Sequence, residues 1–268
     1  MIWPFLHRWS SAIQLRAYLN KEINKAKREG NKLPDHVKKR IWKIPHVEEE
    51  FIWLLRFIPS HEEITLIDIG GNSGYWAEEF LQFYPNSKVY GFEPILEMFQ
   101  EYQNRFSGNS AVHIYNTALG SEDTEAVMNT SMGHYLSSFH EYDASLKDKN
   151  VNFINKEKVV IKKLDNFYPG IEFMNKTVVK IDVQGFEAHV VKGGLKVIEK
   201  ADLIILECSF VEEYQGQLPT FGEIVPIFRN LGLHPICFGV FDKTRGPIAY
   251  ERNVLFVKKK YFNQIWKY

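Results

Sequence analysis

From Phe51 onward, short apolar runs alternate with stretches whose apolar residues recur at helical spacing. Thr65–Ile69 is an apolar run that stops at glycine, and Trp76–Phe83 has helical spacing. Lys88–Phe92 reads as a second strand, Ile95–Phe106 as a helix and Val112–Tyr115 as a third strand. Residues 121–150 are polar and predict no regular element, and Lys158–Leu164 alternates as an edge strand does. Thr177–Ile181 is a fourth buried run, followed by a helix from Phe186 to about Val191. Leu203–Leu206 is a fifth run and Phe221–Leu231 a helix. Pro235–Val240 and Val254–Lys258 then read as a closing antiparallel pair, with no helix between them. Continuous apolar strands separated by helices predict a mainly parallel sheet covered on both faces.

Residues 1–50 have a different pattern. Between Arg8 and Lys43 lie eleven basic residues against three acids, with Ile13, Leu15, Tyr18, Leu19 and Ile23 at loosely helical spacing. This predicts a basic, helical N-terminal extension ahead of an α/β domain at 51–268. A solvated face, a lid, and contact with a phosphate-bearing or membrane-bound substrate are all compatible with it.

Over the whole chain 33 basic and 33 acidic residues cancel, so net charge gives no reason to expect nucleic acid. The two cysteines, Cys208 and Cys237, make neither a CxxC pair nor a Cys/His cluster, which excludes a disulfide framework and a recognisable structural zinc site. The N-terminal apolar stretch is too short for a signal sequence, and no run of about 18 apolar residues predicts a membrane span. A cytoplasmic protein is the expectation.

The chemistry is concentrated in two segments. Asp68-x-Gly70-Gly71-Asn72-x-Gly74 lies where a strand stops and a helix starts, the crevice in which open α/β sheets bind ligands. Glycines there admit positive φ and close backbone approach, and helix N-terminal amides can face a carboxylate. The segment matches neither GxGxxG nor GxxxxGK[ST]. Nineteen residues after Gly74 the second strand ends in Glu93-Pro94, an acid placed to accept two ribose hydroxyls, whether the ligand is NAD or S-adenosylmethionine. The second segment is Lys180-Ile-Asp182-Val-Gln184-Gly-Phe-Glu187, in which Lys180 and Asp182 share a face of the fourth strand. Glu187 is open to the plainer role of a first-turn acid on the following helix.

That second segment resembles the signature of the FkbM family of S-adenosylmethionine-dependent methyltransferases. Asn116-Thr-Ala118-Leu-Gly120, Leu164-Asp165, Gly193 and Asn253-Val-Leu-Phe-Val257 follow in the order of that family, so the resemblance runs from about Leu66 to Lys258. Gly71 stands where the family often has Ala, and Gln184 where Glu is common. The resemblance implies a class I (Rossmann-like) α/β fold, a mainly parallel seven-stranded sheet ending in an antiparallel hairpin. It also implies that Asp68, Gly70, Gly71, Asn72 and Gly74 cradle the methionine end of S-adenosylmethionine. Glu93 would hold the ribose, and Asn116 and Ala118 would border the adenine. The expected reaction is methylation of a hydroxyl on a sugar, glycan or secondary metabolite, releasing S-adenosylhomocysteine.

Attack by an alcohol oxygen calls for a proton acceptor. Asp182 is the first candidate and Glu207 the second, with His134 and His140 as alternative bases. Asp182 and Glu207, on neighbouring strand tips, are also placed to share Mg²⁺, although a metal-free site is favoured. Rival readings are a nucleic-acid or protein methyltransferase, a nicotinamide oxidoreductase, and a non-catalytic partner subunit of the same fold. Acceptor specificity is expected in residues 130–150, residues 208–219 and the N-terminal segment.

Overall fold

The computed structural model describes residues 49–131, 137–139, 153–211, 220–239 and 251–265. The basic N-terminal segment and the histidines at 134 and 140 lie outside them. Helix α1 (Glu49–Phe57) leads into β1 (Ile64–Ile69), α2 (Tyr75–Phe83), β2 (Lys88–Phe92), α3 (Leu96–Arg105) and β3 (Val112–Tyr115). Two-residue β4 (Ala118–Leu119), β5 (Thr124–Ser131) and β6 (Phe153–Lys162) come next. The chain continues through β7 (Lys176–Ile181), α4 (Glu187–Gly193), α5 (Leu195–Lys200), β8 (Leu203–Ser209) and α6 (Thr220–Asn230). It closes with β9 (Leu233–Phe238), β10 (Glu251–Lys258) and α7 (Phe262–Ile265). None of the described helices is long and apolar enough to cross a membrane.

The main sheet has seven strands in the order β3-β2-β1-β7-β8-β10-β9. Its strands are parallel except β10, which runs antiparallel to both β8 and β9. This is the expected class I, Rossmann-like α/β architecture with an antiparallel end. The central strands are apolar on both faces because helices cover both. Leu66, Val178, Ile205 and Leu255 pack against α1 and α2, with Phe51, Leu54, Phe80 and Phe83. Ile67, Val179, Ile204 and Phe256 pack on the opposite side against α4, α5 and α6, with Val190, Val197 and Phe228.

Three expectations need correction. Lys158–Leu164 is not an edge strand of the main sheet: β6 is the central strand of a separate three-stranded sheet, order β4-β6-β5. Nor is 121–150 irregular throughout, since Thr124–Ser131 is β5 and pairs antiparallel with β6. The alternation has a simple cause. Met128, Val159 and Ile161 face inward onto Ile95 and Met98, while Val127, Lys158 and Val160 face solvent. In β5 the inward apolar positions are few, and the polar residues around them obscure the period. Strand β8 is also longer than expected, so Glu207 lies within it and not at its tip.

Several of the family-like residues outside the two main segments turn out to hold elements together. Asp165 Oδ1 accepts from the backbone amides of Lys196 (2.9 Å) and Val197 (3.2 Å), so it caps α5 from another segment. Asn253 Nδ2 donates to Glu50 Oε1, tying β10 to α1. Gly193 lets the end of α4 lie against the turn after β4: a Cβ there would stand 1.8 Å from the carbonyl oxygen of Gly120. Because that neighbour is backbone, Gly193→Ala is expected to lower stability by about 3 kcal/mol or more, measured by denaturant unfolding.

Candidate functional site

Site geometry is set by what lies under the β1–α2 loop. Tyr102 of α3 is fully buried, and its hydroxyl donates to Asp68 Oδ2 at 2.8 Å. Three glycines press on its ring. A Cβ on Gly71 or Gly74 would lie 2.4 Å from it, and one on Gly91 would lie 2.9 Å away. Gly70 faces the other way, where a Cβ would stand 1.8 Å from the carbonyl oxygen of Asp182. The loop is therefore glycine-rich largely because of the protein beneath and beside it. Its amides are used in the same manner. Gly70 and Gly71 both donate to the Phe92 carbonyl (3.0 and 3.1 Å), Asn72 to Glu93 Oε2 (2.8 Å), Ser73 to Asn72 Oδ1 (2.8 Å) and Gly74 to Gly71 O (2.9 Å). From Gly70 to Gly74, then, the amides expected to face a ligand carboxylate have partners within the protein.

Above the loop is an open cleft with a cavity volume of about 130 Å³. Gly70, Asn72, Glu93, Ala118 and Asp182 line it, as do Ile95, Met128, Phe139 and Gln184. Asp68, Gly71, Gly74, Asn116 and Glu207 are not among its lining residues. Asn116 instead braces the turn after β2, donating through Nδ2 to the carbonyls of Glu93 (3.0 Å) and Pro94 (2.9 Å).

Glu93 is buried, and each of its oxygens accepts one backbone amide, from Ile95 (2.9 Å) and from Asn72 (2.8 Å). Burial outweighs those donors and pushes its carboxyl up to about 7. Burial likewise raises Asp68, against the opposing effects of Lys180 and Tyr102. Asp68 Oδ1 has no hydrogen-bond partner among the described residues.

At the other end of the cleft, Lys180 Nζ is 3.1 Å from Asp182 Oδ2. The lysine side chain is 11% exposed and the aspartate 34%, so the carboxylate can be reached from solvent. Burial acts to raise Asp182, but the Lys180 ammonium and the donors from Gln184 and Lys180 prevail and hold it below its ordinary value. Lys180, in turn, is raised: burial opposes its charge, while Asp182 and Asp68 favour it. Gln184 Nε2 lies 3.0 Å from Asp182 Oδ1 and 2.6 Å from Glu207 Oε2, bringing the two sequence-chosen acids together. Glu207 is raised by burial first and then by the charges of Asp182, Glu251 and Glu187. Burial and its neighbours thus favour the protonated form of Glu207, where Lys180 favours the ionised form of Asp182. Among the described residues no group of three or more metal-ligating side chains is assembled.

Tyr102, Gln184 and Glu187 were not given site roles from sequence. Glu187 does more than complement a helix dipole, because its Oε1 accepts from the amides of Val183 (3.2 Å) and Gly185 (3.0 Å) and so fixes the loop before α4. The signal was legible: an acid at the first position of a helix, just after Gln-Gly-Phe, is spaced to reach back to the amides of the preceding loop. Tyr102 carried a weaker one, as a large residue on the buried side of α3 near three glycines without side chains of their own.

A carboxyl-end crevice between a glycine loop and an acid on the next strand, in a sheet of this order, is the site of a class I methyltransferase fold. The residues match the family as well: 68–234 fit the family model described as the methyltransferase FkbM domain, so the chain belongs to that family and is a methyltransferase. It is 25% identical, over 181 residues covering 64% of this chain and 74% of the relative, to the 2-O-methyltransferase NoeI of Sinorhizobium fredii (strain NBRC 101917 / NGR234). Among solved structures it is similar to the methyltransferase FkbM of Methylobacillus flagellatus KT (13% identity, TM-score 0.47, 74% of this chain). The match spans 44% of that longer chain. It is also similar to Aeropyrum pernix fibrillarin in complex with S-adenosyl-L-methionine (10% identity, TM-score 0.45, covering 75% of this chain and 68% of the other).

Burial pushes Glu187 from an ordinary 4.5 up to about 7. The folded state then keeps a proton that the unfolded chain releases, and stability is lost as pH rises across that interval. Glu187→Gln is expected to flatten this decline in denaturant unfolding at a series of pH values. Glu187→Ala leaves two loop amides without an acceptor and should cost about 2–4 kcal/mol.

Proposed function

We propose that this methyltransferase uses S-adenosylmethionine to methylate a hydroxyl oxygen of a sugar, glycan or other small-molecule acceptor, with Asp182 taking the hydroxyl proton. The observation that carries this reading is the state of Asp182. It is a carboxylate kept ionised by Lys180, one-third exposed, and on the wall of the cleft. An alcohol has a pKa far above neutral, so it becomes a competent nucleophile only as a base accepts its proton.

The residues present fit the cofactor. Glu93 has used one lone pair on each oxygen for a backbone amide, which leaves acceptor capacity for two ribose hydroxyls. Asp68 Oδ1 is a buried carboxyl oxygen with no donor among the described residues, the kind of group an ammonium satisfies. Ile95, Ala118, Met128 and Phe139 provide an apolar wall for a purine ring. When bound, S-adenosylmethionine supplies an electrophilic methyl group on a sulfonium. The chain contributes position and proton acceptance: Glu93 and the loop after β1 fix the donor end, and Lys180 keeps Asp182 ionised. The name of the NoeI relative, a 2-O-methyltransferase, supports oxygen as the acceptor atom. Mg²⁺ is not needed by this scheme.

Glu93→Ala should weaken S-adenosylmethionine binding by about tenfold or more in calorimetry, since it removes an ionic acceptor. Because the ionised Glu93 is the better acceptor and its carboxyl lies at about 7, affinity should rise as pH increases across neutrality. Glu93→Gln should abolish that rise. Asp182→Ala should bind the cofactor with nearly unchanged affinity yet form no S-adenosylhomocysteine with a panel of free mono- and oligosaccharides that the unaltered protein methylates. Retained turnover in Asp182→Ala would remove Asp182 as the base, and absence of cofactor binding by the unaltered protein would overturn the whole reading.

A further inference from the structure

We propose that Gln184 is a positioning residue whose side-chain amide binds Asp182 and Glu207 into one coupled acid pair, with Asp182 the member that receives the hydroxyl proton. This rests on the reading of Asp182 as the base and extends it to the two side chains around it.

The geometry begins with one nitrogen. Gln184 Nε2 is 3.0 Å from Asp182 Oδ1 and 2.6 Å from Glu207 Oε2. A primary amide has two hydrogens, so it can donate to both acids at once. The other oxygen of Asp182 is engaged by Lys180 at 3.1 Å.

The backbone at Gln184 is built for this task. Its φ is 51°, in the left-handed region that a side chain other than Asn or Asp seldom adopts. Such a conformation is strained and persists where surrounding contacts enforce it. Those contacts are present on both sides. Glu187 accepts from the amides of Val183 and Gly185, the two neighbours of Gln184. Ser138 Oγ donates to the Gln184 carbonyl at 2.7 Å. Three hydrogen bonds therefore hold a strained residue in an orientation that lets its side chain span the acid just past β7 and the acid on β8.

The charges around the pair explain why its two acids are coupled. Asp182 follows β7 and Glu207 lies on β8; Glu251 approaches from β10 and Glu187 from α4. Asp68 on β1 also acts on Asp182, directly and through Lys180. Full ionisation of Asp182 and Glu207 would place two negative charges on one amide amid further acids, which such a site resists. With Glu207 protonated and Asp182 ionised, Gln184 and Lys180 satisfy both. As the acceptor oxygen bonds to the methyl carbon, the carbon–sulfur electron pair goes to sulfur. The hydroxyl proton passes to Asp182. Both acids are then neutral, and one proton leaves to water before the next turnover. A glutamate at 184 would offer no donor and would add a third carboxyl.

The test is a carboxyl titration by ¹³C NMR of the full chain labelled at Asp and Glu, without acceptor or cofactor, in the unaltered protein and in Gln184→Met, Gln184→Glu and Glu207→Gln. In the unaltered protein the Asp182 and Glu207 resonances should each report the same two steps, as coupled acids do. Gln184→Met should move the Asp182 step upward by about one pH unit, the size expected for a lost charge-assisted hydrogen bond. Gln184→Glu, which keeps the side-chain shape should the methionine variant fail to fold, should move it further. Glu207→Gln should leave Asp182 with a single step. Independent single steps in the unaltered protein, or titrations unmoved by either change at Gln184, would overturn the proposal. So would Mg²⁺ that lowers both steps together, which would make the pair a cation site. These outcomes are separate from the base assignment, which stands or falls on turnover by Asp182→Ala.

Discussion

The ring of Tyr102 occupies the volume that side chains at Gly71, Gly74 and Gly91 would need, and its hydroxyl is tied to the buried carboxylate of Asp68. Those four residues belong to β1, the loop after it, the start of α2, and β2. One side chain from α3 thus sets how closely the first two crossovers approach at the carboxyl rim. Gly70 then faces outward, directly against the carbonyl of Asp182, so that the loop after β7 lies on the loop after β1 without a gap. The cleft and the acid that borders it take their positions from that contact. If the Tyr102 ring were smaller the loop would lose its support, and if any of the glycines were larger the ring would be displaced, since interiors packed to this density have no slack.

The same tight assembly determines the electrostatics. Asp68, Lys180 and Glu207 come from adjacent strands, and Asp68 and Lys180 are register partners across β1 and β7. Their side chains lie on one face of the sheet, with Asp182 just beyond the end of β7. Burial disfavours charge on every acid there, yet its effect differs by neighbour: Asp182 is lowered by Lys180, while Glu93, Glu187 and Glu207 are raised. A row of similar carboxyls is thereby separated into one whose ionised form is favoured, next to the cleft, and several whose protonated form is favoured. Separation of that kind is what divides acid and base roles among chemically identical side chains.

The parallel strands were legible in the sequence because each is an apolar run long enough to be buried on both faces, and the closing pair was legible because no helix interrupts it. The β5–β6 unit was not: with one face in water, its inward residues Ala126, Met128, Val159 and Ile161 are interleaved with lysines, glutamates and asparagines, and the strand period is diluted. At the site, Asp182 and Glu207 were chosen as separate alternatives because strand tips can be counted from sequence. That one glutamine amide joins them depends on the positive φ at Gln184, and no residue type at that position announces it. The loop glycines carry the opposite lesson. Their spacing suggested a cradle for a ligand, whereas at Gly71 and Gly74 the absent side chains make room for a tyrosine about thirty residues further along the chain.

The division of labour among the family-like residues follows from this. Asp165, Gly193 and Asn253 cap a helix, admit a close backbone contact and tie a strand to α1, and none of the three lines the cleft. A pattern made largely of such residues identifies the fold because folding imposes each of them separately. It says little about the acceptor, whose recognition falls to side chains that no packing rule fixes. The two segments that do bear on chemistry are those where structure and function constrain the same residues at once. Gly70 must be glycine for the Asp182 carbonyl and also borders the cleft; Glu187 must be an acceptor for the loop amides and also adds its charge to the environment of Glu207. Substitutions there cannot separate stability from activity, whereas Asp182 and Gln184, whose side chains are only partly buried and end at the cleft, are where the proposed chemistry can be tested while the fold is kept.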